Sequence, residues 1–177
     1  EASVRGLNVL WRPILLGPIF RDEGLTDSPF NLQPRKGAYM WRDLARICLA
    51  LEIPFQRVTP FPQNGLLGAR VATALSDEQR PRFARALYLR EFGNGEQISD
   101  EDTIRAALAD ADCDIDETIE AASAGIVKEQ LRAATDEAKV LGVFGAPSFT
   151  VGDELFWGND RLEAAMDWAK NRNDAHH

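Results

Sequence analysis

Cysteine, histidine and positive charge are all scarce in this 177-residue chain, and each scarcity removes a class of function. Cys48 and Cys113 are the only cysteines, in neither a C-x-x-C pair nor a metal-ligand spacing, so no redox dithiol and no zinc site is encoded here. Cys48, in Arg46-Ile47-Cys48-Leu49, reads as a small buried hydrophobe. Cys113, between Asp112 and Asp114, reads as a thiol whose ionisation like charge opposes. The two histidines, His176 and His177, stand at the extreme C-terminus and read as a frayed tail or the remains of a purification tag. That leaves no histidine as a general base and no Ser-His-Asp or Cys-His machine. Twenty Lys and Arg against 28 Asp and Glu give a net charge of -8, without the basic footprint that binds phosphate backbones, so nucleic acid is not an expected partner. No apolar run approaches the roughly 20 residues that span a bilayer. The start also lacks a secretory layout, so the chain is expected to be cytoplasmic, with no membrane partner.

What remains is a globular composition, 45% hydrophobic and 27% charged, with length for one domain or one domain carrying an insertion. Val9-Leu10-Trp11-Arg12-Pro13-Ile14-Leu15-Leu16 is apolar between glycines and predicts a short strand, which Pro13 limits because it lacks a ladder donor. Residues 22–34, rich in Gly, Asp, Ser, Asn and Pro, predict a long surface loop of the kind that carries function. From Gly37, Met40, Trp41, Leu44, Ala45, Ile47, Cys48 and Leu51 recur at helical spacing until Pro54.

Further helices are predicted over 66–75, over 79–92 with Pro81 near the first turn, and from Ser99 or Asp100, where Ser99 and Asp102 resemble a capping box. Two more cover 116–124 and 126–141, the last ended by Gly142. About a hundred residues without a good strand exceed what a simple alternating chain shows. Ser148-Phe149-Thr150-Val151, Gly152-Asp153 and Leu155-Phe156-Trp157 then predict a hairpin, followed by a helix over 161–170 that Asn159 or Asp160 caps. One strand plus one hairpin makes too small a sheet. The reading is therefore of a chain that begins inside its fold, with at least one strand and one helix expected upstream.

Three places carry candidate chemistry. Ala146-Pro147 lies at the mouth of a strand, where either an ordinary helix-stop loop or a cis bond fits; a cis bond leaves the Ala146 N–H and C=O free to pair with an extended peptide. Asn159-Asp160 at a helix start combines an amide, a carboxylate and free N–H groups, suited to plain capping or to a small zwitterion. Arg35-Lys36 opposes a helix dipole, as a solvated pair or as a contact for an anion. The tryptophans at 11, 41, 157 and 168 read as core and dimer contacts rather than a cofactor box.

Taken together, Asn31-Leu32-Gln33-Pro34-Arg35-Lys36-Gly37-Ala38-Tyr39-Met40-Trp41-Arg42-Asp43-Leu44, Gly142-Val143-Phe144-Gly145-Ala146-Pro147 and Phe156-Trp157-Gly158-Asn159-Asp160-Arg161-Leu162 resemble the 2-hydroxychromene-2-carboxylate isomerases. Those enzymes group with kappa-class glutathione transferases in the branch that also holds periplasmic disulfide oxidoreductases. The resemblance implies an α/β, thioredoxin-like fold interrupted by a large all-helical insertion domain. Residues 1–36 and 135–172 would form the thioredoxin-like part, 37–134 the helical insertion and 173–177 a tail.

The implied activity is a glutathione-dependent cis-trans isomerisation in aromatic-compound catabolism, on a small aromatic substrate, by a homodimer. The alternatives are a kappa-like transferase or, given a C-x-x-C upstream, a thiol-disulfide oxidoreductase. By the same resemblance Lys36 reaches the glycyl carboxylate of glutathione, Ala146 before the cis Pro147 pairs with the cysteinyl unit, and Asn159 and Asp160 hold the γ-glutamyl end. A polar residue of the long loop also contributes, Thr26 or Asp27 being the nearest match. The family's thiolate-stabilising serine, in a Phe-Asp-Phe-x-Ser-Pro-Tyr element, has no counterpart in this sequence. The catalytic residue thus stays unassigned, and residues 1–177 alone are expected to show little isomerase activity; only if nothing is missing upstream would Ser148 or Tyr39 have to take the role.

Overall fold

The computed structural model of the chain describes residues 6–174, and helices dominate it. An extended lead-in, residues 7–15, is followed by α1 (Leu16–Asp22), the one-turn α2 (Pro29–Leu32) and α3 (Pro34–Ala50). A non-helical crossing leads to α4 (Leu66–Ala74) and to α5 (Gln79–Tyr88), which ends in a π-helical turn (Leu89–Gly93). Helices α6 (Glu101–Asp110), α7 (Ile115–Ser123) and α8 (Gly125–Val140) come next. The antiparallel hairpin β1 (Ser148–Val151) and β2 (Glu154–Trp157), a 3-10 turn (Asn159–Arg161) and α9 (Leu162–Asp174) complete the described part.

Two clusters of apolar side chains hold these elements. In the first, Val71 of α4, Phe83 of α5, Ile104 and Leu108 of α6 and Ala122 of α7 are fully buried. Ile104, Ala107, Leu108 and Ala111 recur at three and four residues, so one face of α6 points inward. Each large side chain buried there contributes about 1.5 to 3 kcal/mol. In the second cluster Ile19 of α1, Ala138 near the end of α8 and Val143 gather with Ile14, Leu16 and Leu155. Helix α8 therefore bridges the two, with Leu131 buried midway and Ala138 beside the hairpin.

The hairpin register pairs Ser148 with Trp157 and Phe149 with Phe156. Gly142, just past α8, takes the left-handed φ of 76° that a helix-ending glycine supplies. Among the described residues no helix is long and apolar enough to cross a membrane.

The structure corrects several expectations. The segment predicted as a strand from Val9 is extended but unpaired, and the sheet has only β1 and β2 among the described residues. A strand needs a neighbour's backbone, and here side chains take that place. The Arg80 guanidinium donates to the Trp11 carbonyl at 2.9 Å, and the Leu15 N–H donates to Thr135 Oγ1 at 3.1 Å. Val9, Leu10 and Trp11 are left about half exposed.

The predicted loop contains α2, whose Ser28 cap accepts from the Phe30 N–H. Helix α6 starts at Glu101 with Asp100 at its cap position, which puts Thr103 rather than Asp102 three residues on, so no Ser99–Asp102 box forms. Helix α7 instead carries the sequence-missed cap, Asp114 accepting from the Glu117 N–H at 2.9 Å. Of the four tryptophans only Trp41 is buried; Trp11, Trp157 and Trp168 are each 45% exposed or more. Burial, ahead of the neighbouring Asp112, pushes the Cys113 thiol up, and the Arg82 guanidinium partly opposes it.

Candidate functional site

The loop from Gly142 to Pro147 descends from α8 into β1, and the Ala146–Pro147 peptide is cis. Ala146 and Pro147 are exposed, and neither the N–H nor the C=O of Ala146 has a hydrogen-bond partner among the described residues. The loop itself is tightly held. The Ser148 hydroxyl donates to the Gly145 carbonyl at 2.8 Å, and Phe144 packs its ring 4.9 Å from that of Trp157. Gly145 lies against the Trp157 indole so closely that a Cβ would meet Nε1. A rigid frame thus presents one free peptide unit to solvent.

The Gly158 N–H donates to the Pro147 carbonyl at 3.0 Å and locks the start of the 3-10 turn onto the same loop. Asn159 and Asp160 follow at once and are exposed. Neither caps through its side chain; Gly158 occupies the cap position, and the Asp160 carboxylate pairs with Arg161 at 3.3 Å, a surface contact of little strength. Sequence reasoning placed Asn159 or Asp160 as the cap, and the insertion of a 3-10 turn before α9 moves that role one residue earlier. Both polar side chains are left facing solvent beside the cis-proline loop. Ala146, Pro147, Asn159 and Asp160 are therefore brought to one end of the hairpin.

Lys36 belongs to a different element from these four residues. It lies in the first turn of α3 beside Arg35, both exposed, with no acidic residue in that turn and no ion pair to Lys36 among the described residues. No described hydrogen bond or ion pair links α2 or α3 to the hairpin. The local packing is nevertheless specific: Gly37 passes so close to the Phe30 carbonyl that a Cβ would collide with backbone, which explains a glycine directly after Lys36. In the preceding loop Asp27 is engaged, accepting from the Ser28 N–H at 2.6 Å and from Asn31 Nδ2 at 3.1 Å. Asn31 also donates to the Phe61 carbonyl at 3.2 Å. Asp27 thus shapes its own loop, and Thr26 is exposed beside it.

An aromatic series anchors α3 to the rest of the molecule. Trp41 meets Phe61 edge-on at 4.8 Å and Phe55 at 6.1 Å, Phe61 continues to Phe92 at 6.5 Å, and the Arg57 guanidinium covers the Trp41 ring at 5.2 Å. Thr59–Pro60 and Phe61–Pro62 are also cis, which the sequence offered no specific sign of beyond the prolines. Of the two substitute hydroxyls, that of Ser148 is spent on Gly145, while Tyr39 is largely exposed with the Arg46 guanidinium 5.6 Å from its ring centre.

The buried ionisable group that sequence reasoning missed most plainly is Glu91, in the π-helical turn. It is 4% exposed, no carboxylate hydrogen bond or ion pair is formed by it among the described residues, and burial pushes it up to about 7. A π-turn inside a helical run was a signal available only from coordinates.

The donor set at the hairpin end suits a peptide-like ligand. A free N–H and C=O on one residue pair with an extended backbone, and an adjacent carboxylate and amide suit an ammonium and a carboxylate. Nothing among the described residues makes a cluster of three or more His, Cys, Asp or Glu able to hold a metal ion.

Comparison with known proteins identifies the family and the fold. Residues 1–167 match the family model described as DSBA-like thioredoxin domain. Human glutathione S-transferase kappa 1 is 29% identical over 177 aligned positions, covering 91% of this chain and 77% of that protein. The 2-hydroxychromene-2-carboxylate isomerase of Sphingobium xenophagum is 32% identical over 124 positions, covering 70% of this chain but 63% of the isomerase. A solved structure of a 2-hydroxychromene-2-carboxylate isomerase superposes with a TM-score of 0.84 at 22% identity, over 99% of this chain and 88% of that one, a likeness of fold. The helical body between the lead-in and the hairpin thus belongs to a known architecture: the chain is a member of the DsbA-like thioredoxin-domain family, predominantly helical with a small sheet.

Proposed function

We propose that the protein is a glutathione-dependent isomerase of the 2-hydroxychromene-2-carboxylate type. The observation that carries this reading is the unpartnered Ala146 peptide, exposed before a cis proline and tied by the Gly158–Pro147 hydrogen bond to Asn159 and Asp160. The similarity to enzymes named as kappa glutathione transferase and as this isomerase supports it. Bound glutathione supplies a thiolate able to add reversibly to a conjugated carbon, which permits rotation about a former double bond.

The chain's own residues bind and orient. The Ala146 N–H and C=O hold the central peptide of the tripeptide extended. Asp160 accepts from the γ-glutamyl ammonium, and Asn159 with the N–H groups of the 3-10 turn takes the adjoining carboxylate. Lys36 contributes positive charge toward the glycyl end. A thiol ordinarily ionises near 8.5, so a donor to the thiolate is required for neutral-pH activity. Ser148 does not supply it, since its proton goes to Gly145.

A kappa-like transferase uses the same residues, and the longer alignment with the human transferase favours it as the second reading. Calorimetric titration with glutathione tests the shared site. Asp160→Asn is expected to weaken binding about tenfold, the loss of one charge-assisted hydrogen bond of about 1.5 kcal/mol. The same substitution should leave binding of the dipeptide Cys-Gly, which has no γ-glutamyl group, unchanged. Equal loss for both ligands, or no loss for glutathione, refutes the assignment.

A further inference from the structure

Away from the hairpin end, α4, α8, the end of the lead-in and Pro18 of α1 line a half-open cavity of about 250 Å³. Its apolar wall comes from Leu15, Leu66 and Leu131, and Arg70, Lys128 and Arg132 line it with three positive charges. The spacing is built in: Leu66 and Arg70 lie one turn apart on α4, as do Lys128 and Arg132 on α8, so each helix sets cations beside an apolar stripe. In a chain with an excess of carboxylates, these three cations form no ion pair among the described residues, whereas Arg80, Arg90, Arg105 and Lys139 all do.

The one carboxylate lining the cavity, Asp136, pairs with Lys139 at 3.5 Å. The Thr135 hydroxyl is spent as well, donating to the Leu131 carbonyl at 2.8 Å while accepting from the Leu15 N–H. What the walls offer is positive charge beside an apolar surface, from the half-buried Arg70 and the exposed Lys128 and Arg132.

We propose that this cavity is a binding site for a small organic anion, a carboxylate on a single-ring or fused-ring apolar body. The charge requires an anion, and the leucines reward a ring rather than a bare inorganic ion. The volume, just below the range of about 300 Å³ upward typical of drug-sized ligand sites, suits a compact molecule. The site shares no residue with the hairpin end. At about 1.5 Å of rise per residue, Arg132 lies about 12 Å along α8 from its C-terminal end, and the cis-proline loop begins beyond that. The inference therefore stands independently of the glutathione reading.

Titration calorimetry with benzoate and 1-naphthoate, and with benzamide and sulfate as neutral and inorganic counterparts, tests it. Saturable binding of both aromatic carboxylates with Kd of about 1 mM or tighter is expected, with benzamide and sulfate at least tenfold weaker. Arg132→Gln and the exposed Lys128→Gln should each weaken the carboxylates at least threefold, and Arg132→Lys should retain most of the affinity. Excess glutathione should not displace them. Absence of saturable carboxylate binding, equal binding of sulfate, affinity indifferent to both Gln variants, or displacement by glutathione would overturn the proposal.

Discussion

Replacing Glu91 by Gln should stabilise the protein in alkaline solution and nearly leave it alone in acid. Glu91 is 4% exposed in the π-helical turn, and burial raises its carboxyl from the ordinary 4.5 to about 7. The folded state therefore binds a proton that the unfolded chain releases between those values. For a raised carboxyl the sign is definite: the stability is intact below the unfolded value and falls as pH rises toward and through 7. At about 1.4 kcal/mol per tenfold change in proton affinity, the ionised form costs about 3 kcal/mol above pH 7.

Glutamine keeps the shape and removes the charge, so that cost should vanish. At about 2 to 4 °C per kcal/mol for a domain of this size, Glu91→Gln should raise the melting temperature at pH 8.5 by about 6 to 12 °C. At pH 5 the two proteins should agree to within about 1 kcal/mol. Urea unfolding across pH 5 to 8.5 reads both the difference and its slope. A Glu91→Gln protein no more stable than the parent at pH 8.5, or with an identical pH dependence, would refute the reasoning.

Other expected outcomes follow from packing and from the site. Gly37→Ala, which in an ordinary helix interior gains about 0.5 to 1 kcal/mol, should instead lower stability because the added carbon meets the Phe30 carbonyl; chemical denaturation gives the sign. Phe83→Ala, at a fully buried position, should cost about 3 to 5 kcal/mol, against less than about 0.5 for Tyr39→Ala on the surface. Under native conditions Cys113, buried and with its thiol pushed up, should react with an aromatic disulfide reagent more slowly than the half-buried Cys48; equal rates measured by mass spectrometry would contradict this. Lys36→Ala should raise the glutathione requirement more than it lowers the saturated rate, as a remote binding contact does.

How much the sequence revealed depended on whether a feature was local. The helix from Gly37 up to the stop before Pro54 and the hairpin around Gly152 were legible because period and turn chemistry are written within ten or so residues. The lead-in was not, because strandedness at Val9 depends on a neighbour and here Arg80 and Thr135 hold the backbone instead. The π-turn at Leu89–Gly93 and the move of the cap from Asn159 to Gly158 are shifts of a residue or so, decided by packing rather than propensity. At the candidate site, Ala146, Pro147, Asn159 and Asp160 lie near each other because a hairpin joins them, which sequence order already suggested. The cationic cavity joins residues 15, 70, 128 and 132, and no local pattern could assemble it.

The most direct test of the proposed activity is product analysis with the purified protein. The reaction mixture holds 2-hydroxychromene-2-carboxylate and reduced glutathione. The expected result is conversion to the ring-opened trans isomer only when glutathione is present, with all the glutathione recovered as free thiol. A stable thioether between glutathione and the substrate, or isomerisation at the same rate without glutathione, would contradict the account.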